Sequence, residues 1–422
     1  MVVWHGTLGG PGETDSANAR SEVNAAPALA SDRTIDAHRT APSGPATPGH
    51  LLGLIRSRPV WTRQQLLTVT GMSRTTLFDR LDTLFRHRLI YEAGSADSNG
   101  GRPATLLRFD DRRRAVLVFD LGQTHGRLGV ADLSGRTLRM RVEALDIAEA
   151  PQSLLPRLID SAASLLADDP GLELAGIGMS VPGPVRRSAG TLATSTTMRT
   201  WVDFPIAEML RAQWPVSVLI ENDAHAFAVG ESATAGPSVS QPVLAVKFAS
   251  GIGAGIVFDD HVLTGSTGAA GDIGHIRISD DGPICTCGRR GCLAAWASGH
   301  ALLGRLRSGG VRNLDDLVRR IERGEDQAVA AIDVAAAQVG DVLAAVVATI
   351  NPGVVVMGGR LGRLTRVVSG IDRRLRAVAL DRSTTGMDVV ASRLGDEAVT
   401  VGLTTMVVAH AFAPEAIDEL TT

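Results

Sequence analysis

The stretch "AVLVFDLGQTHGRLGVADLSG", residues 115–135, decides the fold. It reads as a buried strand, a glycine-bearing turn and a second strand, and "TLRMRVEALD" (137–146) continues as a third, which predicts an antiparallel meander. A helical stretch, "SLLPRLIDSAASLLADD" (153–169), follows. The strand, turn, strand order returns, with more glycine, in "VLAVKFASGIGAGIVFDDHVL" (243–263). Three further segments, "LAGIGMSVPGPV" (174–185), "VSVLIENDAHAFAVGE" (216–231) and "GVVVMGGRLG" (353–362), each run an apolar strand into a glycine or acidic turn. Interleaved with helices, they predict an α/β fold. The repetition predicts two similar lobes facing one cleft, and "AVTVGLTTMVVAHAFA" (398–413) predicts a helix at the chain's end.

A chain of 422 residues is too long for one core, so two or three domains are expected, and 44% apolar residues suffice to build them. A net charge of −3 gives no overall attraction to nucleic acid or membrane, so charge must be read segment by segment. Lys247 is the only lysine among 42 Lys and Arg residues, which reads as codon bias in a GC-rich genome. The three cysteines are too few and odd in number for a disulfide framework, and suggest metal-binding thiolates in a reducing cytoplasm. "MVVWHGTLGG" lacks the basic start and apolar core of a secretory signal. The longest apolar run, "VLAAVVATI" (342–350), stops at Asn351-Pro352, short of the roughly 18 residues of a membrane span, so no membrane partner is expected.

Residues 1–45 have the Ala, Pro, Ser, Thr and Gly composition of a disordered tail. Residues 46–111 change character. "GHLLGLIRSRP" is apolar at helical spacing; "TRQQLLTVT" follows with Thr62 as a cap, then Gly71-Met72, then "SRTTLFDRLDTLFRHRL" capped by Ser73. Two strand-like runs, "LIYEAG" and "ATLLRFD", flank the loop "SADSNGGRP", completing the order of a winged helix-turn-helix. Residues 50–114 hold twelve arginines against six acids, the electrostatic footprint of a DNA-binding module. The second helix of the pair would enter the major groove, with Ser73 at its cap and Arg74, Thr75, Thr76 and Arg80 near phosphates or base edges. Arg102, between Gly100-Gly101 and Pro103, would reach a minor groove from the wing. The plainer reading is a solvated face on a dimerisation module.

In the lobes, Asp120, Gly122 and Thr124 sit at a tight hairpin where amides and a hydroxyl could meet phosphate and a carboxylate could hold magnesium or its water; alone, any hairpin can carry this pattern. Gly251, Gly253 and Gly255 form a second candidate phosphate cradle, or simply bend a strand, and Gly358-Gly359 would border an adenine pocket. Asn222 could donate to and accept from a ligand hydroxyl while Asp223 takes its proton; the plainer reading is that one of them caps the helix that follows, and the two roles are compatible. Cys285, Cys287 and Cys292 need one more ligand for a closed tetrahedral zinc site. The loop "DDGPIC" can fold His275 back to supply it; free redox thiols are the alternative.

"DLGQT" (120–124), "VPGPV" (181–185), "ENDA" (221–224), "SGIGAG" (250–255), "GAAGDIGH" (268–275) and "CTCGRRGC" (285–292), in this order and spacing, make the chain similar to the ROK family of repressors, open reading frames and sugar kinases. The N-terminal module makes it look like the repressor branch. The resemblance runs from Leu51 to the C-terminus. It implies an actin-like, two-lobed sugar kinase fold and a homodimer or dimer of dimers. It also implies zinc on His275, Cys285, Cys287 and Cys292, with the histidine also touching the sugar. Asn222 and Asp223 match sugar-binding positions, and Asp223 matches the kinases' catalytic base. Three positions depart from the kinase pattern. Gln123 replaces a glycine in the first phosphate loop, Asp272 replaces a glutamate, and Ala294 replaces a glutamate expected to hold sugar hydroxyls. Losing such a bond to a charged group costs on the order of 1.5–3 kcal/mol, roughly ten- to a hundredfold in affinity.

The expected organisation is a tail (1–45), a winged helix-turn-helix (46–111), a first actin-like lobe (112–242), and a second lobe (243–396) carrying the zinc site and dimer interface. The helix at 397–413 would pack back on the first lobe. The expected function is a repressor that binds a palindromic operator and answers to a sugar or sugar phosphate in the cleft. An ATP- and magnesium-dependent hexose kinase using Asp223 is the alternative, weakened by Gln123, Asp272 and Ala294.

Overall fold

A computed structural model describes residues 47–95, 103–195, 197–234 and 241–422; the expected tail and the wing-tip residue Arg102 lie outside the described residues. Three helices come first, α1 (Pro48–Arg56), α2 (Arg63–Thr70) and α3 (Arg74–Arg86), with strands β1 (Trp61–Thr62), β2 (Ile90–Ser95) and β3 (Thr105–Phe109). Local chemistry sets their boundaries. The Thr62 hydroxyl accepts from Gln65 N while Thr62 N donates to Gln65 Oε1, a reciprocal cap on α2. Gly71, at φ 65°, ends that helix in the left-handed region, and Ser73 Oγ caps α3 by accepting from Thr76 N at 3.1 Å. Strand β3 lies between β1 and β2 in an antiparallel sheet, over a core that includes Leu51, Ile55, Leu66, Leu77, Leu81 and Leu107.

The first lobe begins with the meander β4 (Arg114–Leu121), β5 (His125–Asp132) and β6 (Thr137–Ala144), followed by α4 (Pro151–Ala167). Strand β7 (Glu173–Val181) runs parallel beside β4; a short ribbon, β8 (Val185–Arg186) and β9 (Thr191–Leu192), and α5 (Ile206–Gln213) lead to β10 (Val218–Asn222), parallel to β7. The sheet order is β10-β7-β4-β5-β6. Helix α6 (Asp223–Thr234) starts directly from β10. The second lobe repeats the plan. Antiparallel β11 (Val243–Phe248), β12 (Ile252–Phe258) and β13 (His261–Val262) are followed by helices α7 (Leu293–Ala297), α8 (Gly299–Leu306), α9 (Leu314–Glu322) and α10 (Asp326–Ile350). Strand β14 (Val354–Gly358), helices α11 (Gly359–Gly362), α12 (Thr365–Val378) and α13 (Asp381–Thr384), and strand β15 (Asp388–Ala391) complete it, in the order β13-β12-β11-β14-β15. Each sheet has three antiparallel and two parallel-joined strands in the same order. This is the mixed α/β, actin-like sugar kinase fold.

The lobes exchange helices. Helix α6 leaves the first lobe yet packs on β11 and β12, while α14 (Ala398–Ala411) leaves the second lobe and packs on β4, β7 and β10. The two helices touch through glycine. A β-carbon on Gly402 would sit 1.8 Å from the Ala226 carbonyl oxygen, and one on Gly230 would sit 1.9 Å from that of Ala398. No other residue permits so close an approach. Strand β4 shows the matching period of two: Val116 and Val118 join the core shared with α14, and Leu117 and Phe119 face the separate core under α4.

Helix α10 exceeds the sequence expectation of a short apolar run: it is long and apolar enough by length and composition to cross a membrane. Its inner face, including Ile332, Val339, Leu343 and Val347, instead belongs to the second lobe's core. Asp333 and Asp341 on its outer side pair with Arg366 and Arg374 of α12. The predicted final helix is α14, which ends before Phe412; a further helix that the sequence did not suggest, α15 (Pro414–Thr421), turns onto α1 of the winged module. Gly49 N donates to Asp418 Oδ1 at 2.7 Å, Arg56 Nη1 donates to the Phe412 carbonyl at 3.3 Å, and the Phe412 ring meets Phe109 edge-on at 5.0 Å.

Candidate ligand cleft and metal centre

The carboxyl ends of β4, β7 and β10 line one wall of the cleft, the position where α/β sheets receive ligands. Asp120, at the end of β4, is 9% exposed and accepts from Ser180 Oγ at 2.7 Å; Ser180 is its register partner on β7. The hairpin after it is closed by Gly122 N donating to the His125 carbonyl, with Gln123 half-buried and Thr124 exposed at the tip.

Asn222 does what the capping alternative required. Its Oδ1 accepts from the amides of Ala224 (2.9 Å) and His225 (3.1 Å), opening α6, and its Nδ2 donates to the Gly183 carbonyl at 3.0 Å. Asp223, the next residue, accepts from Lys247 Nζ at 2.7 Å, both side chains being about a fifth exposed. Burial lowers the Lys247 pKa, but the pull of Asp223 and Asp120 outweighs it and leaves the group above its ordinary value. Sequence reading assigned Lys247 no role; the available signal was that no other lysine exists in the chain.

Beneath Asn222 lies a buried charge network that sequence reading also missed. Glu221, 1% exposed, accepts from Arg187 Nε at 2.5 Å, from Asn222 N at 2.8 Å and from His225 Nδ1 at 2.9 Å. His225 Nε2 lies 2.7 Å from the Ala270 carbonyl. Both ring nitrogens therefore face acceptors, which only the imidazolium satisfies on both sides. Burial depresses His225, but its bond to Glu221 carries the pKa above the usual value. His225 thereby ties α6 to the "GAAGDIGH" segment, which is itself pinned where Ala254 N donates to the Gly271 carbonyl at 2.8 Å.

Most of the candidate loop glycines have a packing role. β-carbons on Gly253, Gly255 and Gly358 would meet Ala224 (3.3 Å), Ala228 (2.5 Å) and the Phe227 ring (2.0 Å), all on α6, and Gly359, at φ 78°, abuts the Phe248 backbone. Gly251 alone among these faces open space.

His275 and the three cysteines converge. One ligand atom from each lies within 4.8 Å of all the others. Cys285 Sγ is 3.4 Å from His275 Nδ1, and Cys287 and Cys292 Sγ are 3.7 Å apart. A tetrahedral zinc with metal–sulfur bonds of about 2.3 Å would set its sulfurs about 3.8 Å apart, so the donor set and spacing fit that ion. Charge gives a second criterion. Burial and the neighbouring Cys287 and Cys285 push the Cys292 thiol up to about 12, and a divalent cation would reverse that. Burial raises Cys287, but the Arg289 amide and the adjacent thiols leave it below the ordinary thiol value. Backbone turns shape the loop: Cys285 N donates to the Arg289 carbonyl, Gly288 N to the Cys285 carbonyl, and Cys292 sits at the start of α7. Away from the cysteines, His275 Nε2 is 3.9 Å from Asp272 Oδ1. Ala294, the second residue of α7, lies against Gly274, so position 294 borders the same segment.

In the winged module, Arg74 and Thr75 are exposed in the first turn of α3, while Thr76 is half-buried and shares a 2.8 Å hydroxyl bond with the capping Ser73. Arg80 is half-buried one turn on. Phe78, 53% exposed on the same helix, was not anticipated; Arg63, paired with Glu92, lies over its ring.

The sequence profile of the ROK family matches residues 116–410. The xylose repressor of Bacillus subtilis (strain 168) is 25% identical over 361 residues, spanning 85% of this chain and 93% of that protein. The glucokinase of Thermotoga maritima is 28% identical over 309 residues, spanning 69% of this chain and 96% of that enzyme. Among solved structures, a ROK family transcriptional regulator, a homologue of the E. coli MLC protein, matches with a TM-score of 0.74 at 22% identity, over 89% of this chain and 98% of its own.

Proposed function

The chain belongs to the ROK family, and from that premise we propose that it is a transcriptional repressor controlled by a sugar or sugar phosphate in the cleft between its lobes. The observation that carries this reading is the three-helix, three-strand module in front of the kinase-like lobes, with Arg74 and Thr75 exposed at the start of α3. The span of the matches agrees: the xylose repressor covers 85% of the chain and the glucokinase 69%.

In this reading α3 enters the major groove, Ser73, Arg74, Thr75, Thr76 and Arg80 contact phosphates or base edges, and Arg102 reaches the minor groove. Two or four copies in the cytoplasm place paired modules on a palindromic operator. Asn222, Asp223, Asp272 and His275 face the effector. Zinc, when bound by His275, Cys285, Cys287 and Cys292, supplies a closed structural clamp and folding free energy. Only an effector with different affinity for the two arrangements of the lobes can change operator affinity. The test is a footprint on the promoter beside the protein's own gene at physiological salt. A protected palindrome released by one member of a sugar and sugar-phosphate panel is expected, and no protection under any condition refutes the reading.

The second reading, an ATP- and magnesium-dependent hexose kinase, is favoured by Asp223 at the head of α6. A coupled assay across hexoses decides it: turnover abolished by Asp223→Asn supports it, and silence across the panel removes it.

A further inference from the structure

We propose that the Lys247 ammonium is a built-in cation that replaces a divalent metal ion between Asp120 and Asp223, so that the cleft takes its effector without a metal-bound nucleotide. The inference deepens the sensor reading above and rests on it. Its first support is position. Lys247 lies on β11 with Gly253 of β12 and Gly358 of β14 as its register partners, so no side chain on either flanking strand crowds its stem. Along β11, Leu244, Val246 and Phe248 enter the second lobe's core, while Val243 and Ala245 join the core shared with α6. Strand alternation puts Lys247 on the α6 side, and its Nζ reaches Asp223 Oδ2 across the cleft floor at 2.7 Å.

Charge is the second support. The two acids that sequence reading offered to a magnesium ion and to a transferred proton are Asp120 and Asp223, and both act electrostatically on Lys247, together with Asp396. Asp120 also has Oδ1 engaged by Ser180, leaving it a fixed, largely dehydrated partner. A divalent ion arriving here would meet an ammonium already seated on one of its two carboxylates, and like charges at such range repel strongly. Magnesium also demands near-octahedral oxygen ligation with several waters, which an ion-paired side chain displaces. The residues present therefore do not fit the metal of the kinase scheme.

The residue type is the third support. Every other strongly basic side chain in the sequence is arginine, and this position alone is lysine. A planar, forked guanidinium spreads its charge over a plane, whereas an ammonium is a compact point charge with three donors, the closer substitute for a small cation.

The test uses the full-length, zinc-loaded protein and follows free Mn²⁺ by electron paramagnetic resonance. Wild type is expected to leave Mn²⁺ free into the millimolar range. Lys247→Met should gain one site per chain with at least a tenfold lower Kd, and Asp120→Asn in that background should abolish it. Wild type binding Mn²⁺ as tightly as Lys247→Met, or Lys247→Met binding no more than wild type, overturns the proposal. If Lys247→Met does not fold, Lys247→Gln replaces it. Wild type alone remains decisive, since tight Mn²⁺ binding that Asp223→Asn removes is a refutation. Operator footprinting is a separate readout: a protein that protects its operator yet binds Mn²⁺ in the cleft overturns only the Lys247 assignment, and the converse overturns only the repressor reading.

Discussion

Replacing Phe412 by alanine tests how the winged module is held. The ring is 5% exposed, meets Phe109 at an interplanar angle of 82°, and has the Arg56 guanidinium 5.3 Å from its centroid. Removing a buried phenyl costs about 3–5 kcal/mol once the residual cavity is counted. Phe412 belongs to a core that joins Val116, Leu403 and Val407 of the first lobe to Leu51 and Ile55 of the winged module, and its ring contacts with Phe109 and Arg56 are the ones that reach that module, so the cost is shared between docking and the first lobe's core. At about 1.4 kcal/mol per factor of ten, docking should weaken by up to about two to three and a half orders of magnitude. Hydrogen exchange read by mass spectrometry should show Pro48–Arg56 losing protection while α10 keeps its own. Gly49→Ala attacks the same junction from the other side, because its β-carbon would lie 2.0 Å from the Pro414 carbonyl oxygen. Alanine ordinarily stabilises a helix by roughly 0.5–1 kcal/mol over glycine, so a loss of α1 protection here has a sign that helix propensity cannot produce. Unchanged exchange in α1 for both variants would refute the latch.

Other expectations concern the metal, the buried histidine and the effector wall. Cys287→Ser should lose zinc, measured by elemental analysis, and lower the melting temperature of the second lobe; full zinc content with unchanged melting contradicts this. His225 has a raised pKa, so its bonds to Glu221 and Ala270 add stability that is complete below the unfolded value of about 6.5 and is lost as pH rises through the folded one. The urea midpoint difference between wild type and His225→Asn should therefore shrink from pH 6 to pH 8, and a gap that stays constant or widens refutes the imidazolium. Ala294→Glu restores the missing carboxylate beside the 272–275 segment and should tighten binding of the usual hexose by roughly ten- to a hundredfold in calorimetry. No change in Kd would show that position 294 does not border the bound ligand.

What the sequence made legible was local. Thr62, Gly71 and Ser73 act within a few residues of themselves, so their caps and turn could be read from types and spacing. The clustering of Cys285, Cys287 and Cys292 needed only the return of His275 from ten positions upstream. Asn222 was ambiguous for the same reason: a cap and a ligand contact want the same side chain in the same place, and the structure shows the cap. What stayed hidden depends on strand order. Lys247 meets Asp223 only because β11 of one lobe faces the helix that leaves the other, and Glu221 meets Arg187 across 34 positions. Helix α15 was missed because it lies beyond the run "AVTVGLTTMVVAHAFA" read as the final helix, and its partner α1 is at the other end of the chain, so nothing local marks the docking.

The exchange of α6 and α14 also bears on how this architecture can be divided. A fragment ending at Thr234 would carry α6 without the β11–β12 surface it covers, and would leave the faces of β4 and β7 that receive Leu403 and Val407 bare. A fragment beginning at β11 would expose Val243 and Ala245 in turn. Although each sheet repeats the other's strand order, each half covers itself with a helix supplied by the other, so the two lobes complete one another and fold as one piece.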